Sequence, residues 1–364
     1  MEDGNEKLKL TVEGQIQDMV NKNIQFDLYS TEDAKKFLRY NNYYFKLKSY
    51  ARNYNINQQT KKYYNLDFAY LVELSKLDMY IRKIILELSL DVEHYLKVRL
   101  MNDLSNNPKE DGYHIVKLFL QYHPNAEADI QGKADKYSFC SDLAEKHLDE
   151  YKEPKELALW NIVELLSFGN FMELYELYYQ TYPSFNYSDY LKSIKFIRNA
   201  AAHNNCILST LRKPNSLKKF SKTKKLANIL GKIPEFQKLS NRDAMMKNPV
   251  IHDFVTLLFV YNDVMKVSAT KHIRNRKMEE ICHLFCDEDG RIRKNKAYFE
   301  KNPYIKETYL FICNIIKYID KKIGILNTRI FCDKWLTRTK RNSNIIHIEQ
   351  KSLEIFTRAV RALN

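Results

Sequence analysis

Residues Leu66 to Leu100, LDFAYLVELSKLDMYIRKIILELSLDVEHYLKVRL, place apolar side chains at Leu71, Leu74, Leu77, Ile81, Ile84, Ile85, Leu88, Val92, Tyr95 and Leu96. Steps of three and four are the spacing of one helix face, so the stretch predicts a core helix. At 1.5 Å per residue it is roughly 50 Å long. Asp78, Arg82, Glu93 and Arg99 punctuate it at spacings of ordinary ion pairs, and carry no assigned chemistry.

Outward from this helix, no glycine or proline occurs between Gln15 and Asn107. Hairpins and βα turns would demand several there. The whole chain of 364 residues has only 8 Gly and 8 Pro, too few turn-formers for a many-stranded sandwich or a Rossmann sheet. The expected fold class is therefore all-α, with additional N-terminal and C-terminal helices around the central bundle. Ser30, Thr31, Glu32 and Asp33 read as a helix start leading to Tyr40. Asn42 to Arg52 follows as an aromatic-basic segment, whose alternating rings and cations either grip RNA or simply pack and snorkel.

Asn106 to Glu153, with Pro108, Gly112, Pro124 and Gly132, reads as a broken helical insertion. Pro154 then opens a helix through Trp160 and Leu166, interrupted at Gly169 and resumed to Tyr178. Further apolar helical segments lie at His252 to Val267, Tyr304 to Ile325 and Ile345 to Leu363. The expected organisation is an N-terminal helical aromatic-basic segment at 1–60, a helical core at 61–212 with the insertion at about 104–153, a basic loop at 213–234 and a C-terminal helical extension at 235–364.

With 59 Lys and Arg against 45 Asp and Glu, the net charge is +14, a balance that suits a polyanionic partner, nucleic acid or an acidic lipid surface, without choosing between them. Between Tyr190 and Pro234 there are eleven Lys or Arg and no acid. Such a run attracts phosphates, and its bland alternative is a solvated basic loop. The expected RNA contacts are Lys46, Lys48 and Arg52 in the aromatic-basic segment, Lys192 and Lys195, and Arg212, Lys213, Lys218, Lys219, Lys222, Lys224 and Lys225.

The six cysteines are scattered, which points to reduced thiols and a cytoplasmic location. Cys282, His283 and Cys286 form a C-H-x-x-C cluster without a second pair at zinc spacing, so no metal site is read there. The first ten residues do not read as a leader, and no apolar run approaches membrane-spanning length. No cofactor motif is found.

Inside the acid-free run lies Phe196-Ile197-Arg198-Asn199-Ala200-Ala201-Ala202-His203-Asn204-Asn205. Read as one helix, it sets Arg198 and His203 about 7.5 Å apart along the axis and roughly 140° apart around it. They splay, so neither completes a site with the other alone. The three alanines would admit a facing helix closely, and a two-fold pairing would gather two arginines and two histidines.

Imidazole exchanges protons near neutral pH, and guanidinium matches phosphate oxygens. The chemistry expected is metal-independent RNA cleavage by the 2′-hydroxyl, with His203 handling protons, Arg198 stabilising the phosphorane and Asn199 orienting the groups. Arg341-Asn342-Ser343-Asn344-Ile345-Ile346-His347 repeats the theme with one extra residue and is read as a decoy.

These residues resemble the Abi proteins of bacterial abortive infection, of the AbiD and AbiF type, within the HEPN superfamily of helical ribonucleases. The likeness runs from about Asp27 to Leu208. Asn42 to Leu47 with Ser49-Tyr50 is similar to the family's YYRLxGY segment. Pro154, Trp160, Glu164 and Leu166-Ser167-Phe168-Gly169 resemble its PxW…E…LSFG pattern, followed by Arg198-Asn199 and Ala202-His203. Many relatives carry a second histidine where this chain has Asn204, and Ala51 stands where an aromatic is frequent.

The resemblance implies a HEPN-like helical bundle, a homodimeric active site, RNA cleavage that restricts phage or host growth, and a structured RNA partner. The expected function is thus an abortive-infection or toxin-type endoribonuclease. The competing reading is a non-catalytic RNA-binding protein holding a structured small RNA. A membrane-active toxin is the third reading, and the lack of a strongly apolar segment argues against it.

Overall fold

Hydroxyl caps start the first two helices, as Ser and Thr at such positions do. Thr11 accepts the Gly14 amide at 3.1 Å to open α1 (Val12–Asn21), and Ser30 accepts the Asp33 amide at 3.1 Å to open α2 (Thr31–Tyr40). Between them, β1 (Ile24–Gln25) pairs in parallel with β2 (Leu66–Asp67), with Ile24 opposite Leu66. A helix α3 (Tyr44–Ser49) and a 3-10 turn at Tyr50–Asn53 follow α2 in the chain.

The computed structural model describes residues 9–134, 154–212, 224–231, 233, 236, 242–265, 270–287 and 289–323. The all-α expectation holds: the two-residue ladder and one bridge, Ile56 to Tyr63, are the β structure among the described residues.

The central helix α4 (Phe68–Ser105) has 38 residues, about 57 Å. It outruns the predicted Leu100 because nothing before Pro108 breaks it. Asp67 starts it: Oδ1 accepts the Ala69 amide at 2.8 Å, while Oδ2 accepts the amides of Asp27 and Leu28 at 3.0 and 3.2 Å. One carboxylate both caps the helix and docks the segment before α2.

Helices α5 (His114–Tyr122) and α6 (Pro124–Ala134) occupy the predicted insertion, and the remainder of that insertion lies outside the described residues. The reading that Pro154 opens a long helix is corrected. Pro154–Glu156 is a 3-10 turn, Ala158 is extended, and α7 spans Leu159–Leu165. The break is at Leu166-Ser167 and not at Gly169. Ser167 caps α8 (Phe168–Thr181) by accepting the Asn170 amide at 3.3 Å, and Gly169 sits inside its first turn.

Next comes α9 (Ser188–Ala202), which packs against α4 and against a later helix, Pro249–Val264. The elements after α9 are α10 (Lys224–Gly231), α11 (Arg242–Met245), α12 (Pro249–Val264), α13 (Lys271–Cys286), α14 (Arg291–Lys294), α15 (Lys296–Phe299) and α16 (Pro303–Ile323). α12 begins three residues earlier than predicted, because Asn248 caps it and Pro249 takes the first helical position. Residues to Ile315 form one packed unit; of a second unit, from Ile316, only the last turns of α16 are described. The predicted segment Ile345 to Leu363 and the Arg341 to His347 repeat lie outside the described residues.

Candidate functional site

Helix α9 buries Leu191, Ile194, Ile197 and Ala201 and turns Lys192 and Phe196 outward, and His203 just past its end is exposed as well. Arg198 lies at the edge of the buried face, half-buried. Its Nη1 donates to Asn199 Oδ1 at 3.2 Å, and its guanidinium sits 5.8 Å from the centroid of the Phe168 ring. A cation over an aromatic face is attracted by the ring quadrupole. Arg198 and Asn199 are therefore brought together, while His203 is exposed and its ring makes no hydrogen bond among the described residues.

The helical reading of Phe196 to Asn205 is corrected at its end. α9 stops at Ala202, and His203 is the first residue beyond it. Asn204 has φ +57°, a left-handed conformation that asparagine tolerates well. Its amide donates to the Ala201 carbonyl at 3.0 Å, and the Asn205 amide donates to the Ala200 carbonyl at 2.9 Å. These two bonds are the Schellman closure of a helix C-terminus. Asn204 thus makes the turn that fixes the backbone of His203.

Distant residues grip this turn from inside. Lys46 Nζ donates to the Asn204 carbonyl at 2.8 Å, and Arg82 Nη1 donates to the Asn205 carbonyl at 3.3 Å. Arg82 pairs with Asp78 one turn earlier on α4, and Asp78 Oδ1 accepts the Leu208 amide at 2.7 Å. Asn53 donates to the Leu208 carbonyl at 2.7 Å and accepts the Leu211 amide at 2.8 Å. Asn53 is held in turn by Asn302 Nδ2 on its carbonyl at 2.7 Å, and Asn248 Nδ2 donates to the Thr210 carbonyl at 2.7 Å. Two cations at a helix C-terminus also complement its dipole. Burial lowers the Lys46 pKa, with the Arg82 charge adding to the effect, and burial pushes the Tyr50 hydroxyl up.

A second brace lies under α9. His252 on α12 is fully buried, with Nδ1 2.9 Å from Asp253 Oδ1 and 3.5 Å from Ser193 Oγ. Burial raises the Asp253 carboxyl pKa, against hydrogen bonds from His252 and Ser193. The trio ties α9 to α12.

The expected RNA contacts separate into groups. Lys46 is corrected: it is 7% exposed and committed to Asn204. Lys48 is half-buried and bonded to Asp18 Oδ2 at 2.9 Å, and Arg212 donates to the Tyr54 carbonyl at 2.9 Å. Both serve the fold. Arg52 and Lys192 are exposed, with Lys192 5.9 Å from the Phe196 ring. Lys195 lies across Gly169, where an added Cβ would come within 3.0 Å of its Nζ. Lys213, Lys218, Lys219 and Lys222 lie outside the described residues, as do the side chains of Lys224 and Lys225 on α10.

In the C-H-x-x-C cluster, Cys286 Sγ lies 2.7 Å from Cys313 Sγ on α16, while His283 turns to Asp287 at 3.3 Å. The cluster does not form one ligand set.

The sequence assigns no chemistry to Asp78 and Arg82, yet Arg82 bonds the turn and Asp78 holds both Arg82 and the Leu208 amide. Their signal was present: both fall among Leu74, Leu77, Ile81 and Ile85, on the buried side of α4. Charges are rarely buried unless paired. No helix among the described residues is long and apolar enough to cross a membrane.

Residues 36–209 match a family model described as Abi-like protein, a span that holds Lys46, Asp78, Arg82, Arg198 and His203. No curated protein and no solved structure matches the chain.

Proposed function

The chain belongs, through residues 36–209, to the Abi-like protein family, and on that premise we propose that it is a metal-independent endoribonuclease of abortive infection. Two copies meet along α9, so that Arg198, Asn199 and His203 of each surround one ribonucleotide linkage. One imidazole takes the proton of the 2′-hydroxyl, whose oxygen attacks phosphorus. The bond to the 5′-oxygen breaks, the second imidazole protonates that leaving oxygen, and a 2′,3′-cyclic phosphate remains. Arg198 balances the charge that builds on the phosphorane oxygens.

The observation that carries this reading is an exposed imidazole on a turn held rigidly from the interior. Four buried groups from three distant chain segments, Lys46, Asn53, Asp78 and Arg82, fix a short stretch of backbone whose outward product is His203. These bonds pair the buried backbone of the turn and at the same time position the exposed imidazole, and catalysis depends on positioned groups. Arg198 turns to the Phe168 ring while His203 is exposed and unbonded among the described residues, which supports a site completed by a second copy. No Asp or Glu lies between Tyr190 and Pro234, which supports chemistry that runs on the RNA's own nucleophile.

The test is incubation of the purified chain with labelled RNA in excess EDTA. Fragments ending in cyclic phosphate are expected, and Arg198→Ala or His203→Ala should abolish them. Salt-sensitive binding without cleavage would instead establish the RNA-holding alternative. Sedimentation equilibrium should give a dimer.

A further inference from the structure

Between Ala34 and Leu66 the chain carries eight Lys or Arg and no Asp or Glu. This second acid-free run also holds unusually exposed rings: Tyr40, Tyr43 and Phe45 are 81, 62 and 78% exposed. The geometry places α3, with Tyr43 at its start and Phe45 within it, beside the candidate site. Phe45 precedes Lys46, whose ammonium bonds the carbonyl next to His203, and Cys206 Sγ donates to the Lys46 carbonyl at 3.7 Å. α3 therefore lies directly along the turn that carries the imidazole.

We propose that Tyr43 and Phe45 form a stacking surface for an unpaired base of single-stranded RNA, adjacent to the linkage at His203. The inference rests on the ribonuclease reading and names its substrate class. Exposed rings clustered on a soluble surface mark a contact site. The surrounding charge selects the occupant. Lys35, Lys36, Arg39 and Lys48 are paired with acids outside the run, whereas Arg52, Lys61 and Lys62 are exposed and make no ion pair among the described residues, so the charge left over attracts a polyanion. Rings set among cations bind single strands, because every unpaired base offers a face to stack while the cations follow the backbone. A duplex hides those faces within its own stack, and the narrow major groove of A-form RNA admits no ring.

The experiment uses the full chain and a short RNA with 2-aminopurine beside the target linkage. A 2′-deoxy nucleotide at that linkage blocks cleavage. Stacking should quench the fluorophore. Tyr43→Ala combined with Phe45→Ala should abolish the quench and weaken binding by roughly 5- to 150-fold for each base that no longer stacks. Phe45→Trp should retain both. The inference is overturned if the double variant binds and quenches like the parent, or if duplex RNA competes as well as single strands. It is also overturned if the variant loses binding only because sedimentation shows that the copies have come apart. A parent that binds and quenches but never cuts the all-ribose oligonucleotide upholds the stacking surface and removes the nuclease. A parent that does neither removes both.

Discussion

Lys46 Nζ donates to the carbonyl of Asn204 at 2.8 Å across 158 positions of sequence, so an ammonium from α3 closes the end of α9 beside the candidate imidazole. Lys46→Met keeps the aliphatic stem and removes the donor, leaving a backbone acceptor unpaired. The expected loss is about 1–3 kcal/mol in urea denaturation, together with loss of RNA cleavage under conditions where the variant is still folded. An unchanged midpoint with unchanged cleavage would show that the ammonium holds nothing in place.

Asp78 and Arg82 should behave as a buried pair. Asp78→Ala strands the Arg82 guanidinium and the Leu208 amide, at a cost of about 3–5 kcal/mol. Asp78→Leu with Arg82→Met replaces both charges by apolar groups and should recover much of that stability. Cleavage should stay low in the double variant, because the Asn205 carbonyl and the Leu208 amide still lack partners. Recovery of full activity along with stability would remove the positioning role.

The acid side of the stability profile should depend on Asp18. Burial pushes its carboxyl pKa up, but hydrogen bonds from Lys22, Tyr44 and Lys48 outweigh burial and hold it well below the usual carboxylate range. The unfolded group titrates near pH ~3.9. The folded value is lower, so this stabilisation is complete above roughly pH 5 and is lost as pH falls toward the folded pKa. Urea midpoints of the parent should fall more steeply between roughly pH 5 and pH 3 than those of Asp18→Asn. Parallel profiles would refute the assignment.

Gly169→Ala separates the fold from the site. A Cβ there meets only the flexible end of Lys195 and Ser167 Oγ, so the helix should gain roughly 0.5–1 kcal/mol from the alanine. Lys195 should be displaced, and RNA affinity should fall. Unaltered RNA affinity in a folded variant would show that Lys195 does not meet the substrate.

Asn204 should tolerate glycine and reject β-branched residues. Asn204→Gly keeps the left-handed turn, whereas Asn204→Val should cost at least about 1–2 kcal/mol and mislocate His203. Equal stability of the two variants would mean that the turn opens without consequence.

Sequence pattern made α4 readable because its apolar side chains repeat every three or four residues, and Ser30 marked the start of α2 by ordinary cap chemistry. The end of α9 was overrun because three alanines are strong helix formers and mask the stop supplied by Asn204. From its own segment Lys46 reads either as an RNA contact or as a cation that packs and snorkels. Its burial is set by a carbonyl that no local window contains. Asp78 and Arg82 bond backbone 130 and 123 positions away, so spacing within α4 reveals their pairing but not their purpose. Arg198, Asn199 and His203 could be picked out from residue chemistry, whereas the interior network beneath them needed the fold.

The bond from Asn302 to Asn53 has a bearing on biosynthesis. A ribosome making this polypeptide passes position 203 about a hundred codons before it delivers Asn302, and it delivers Asn248 in between. Nascent chains, and products truncated in that interval, carry the imidazole without its last two asparagine supports. The backbone beneath position 203 thereby gains its complete set of side-chain supports only after Asn302 has been added.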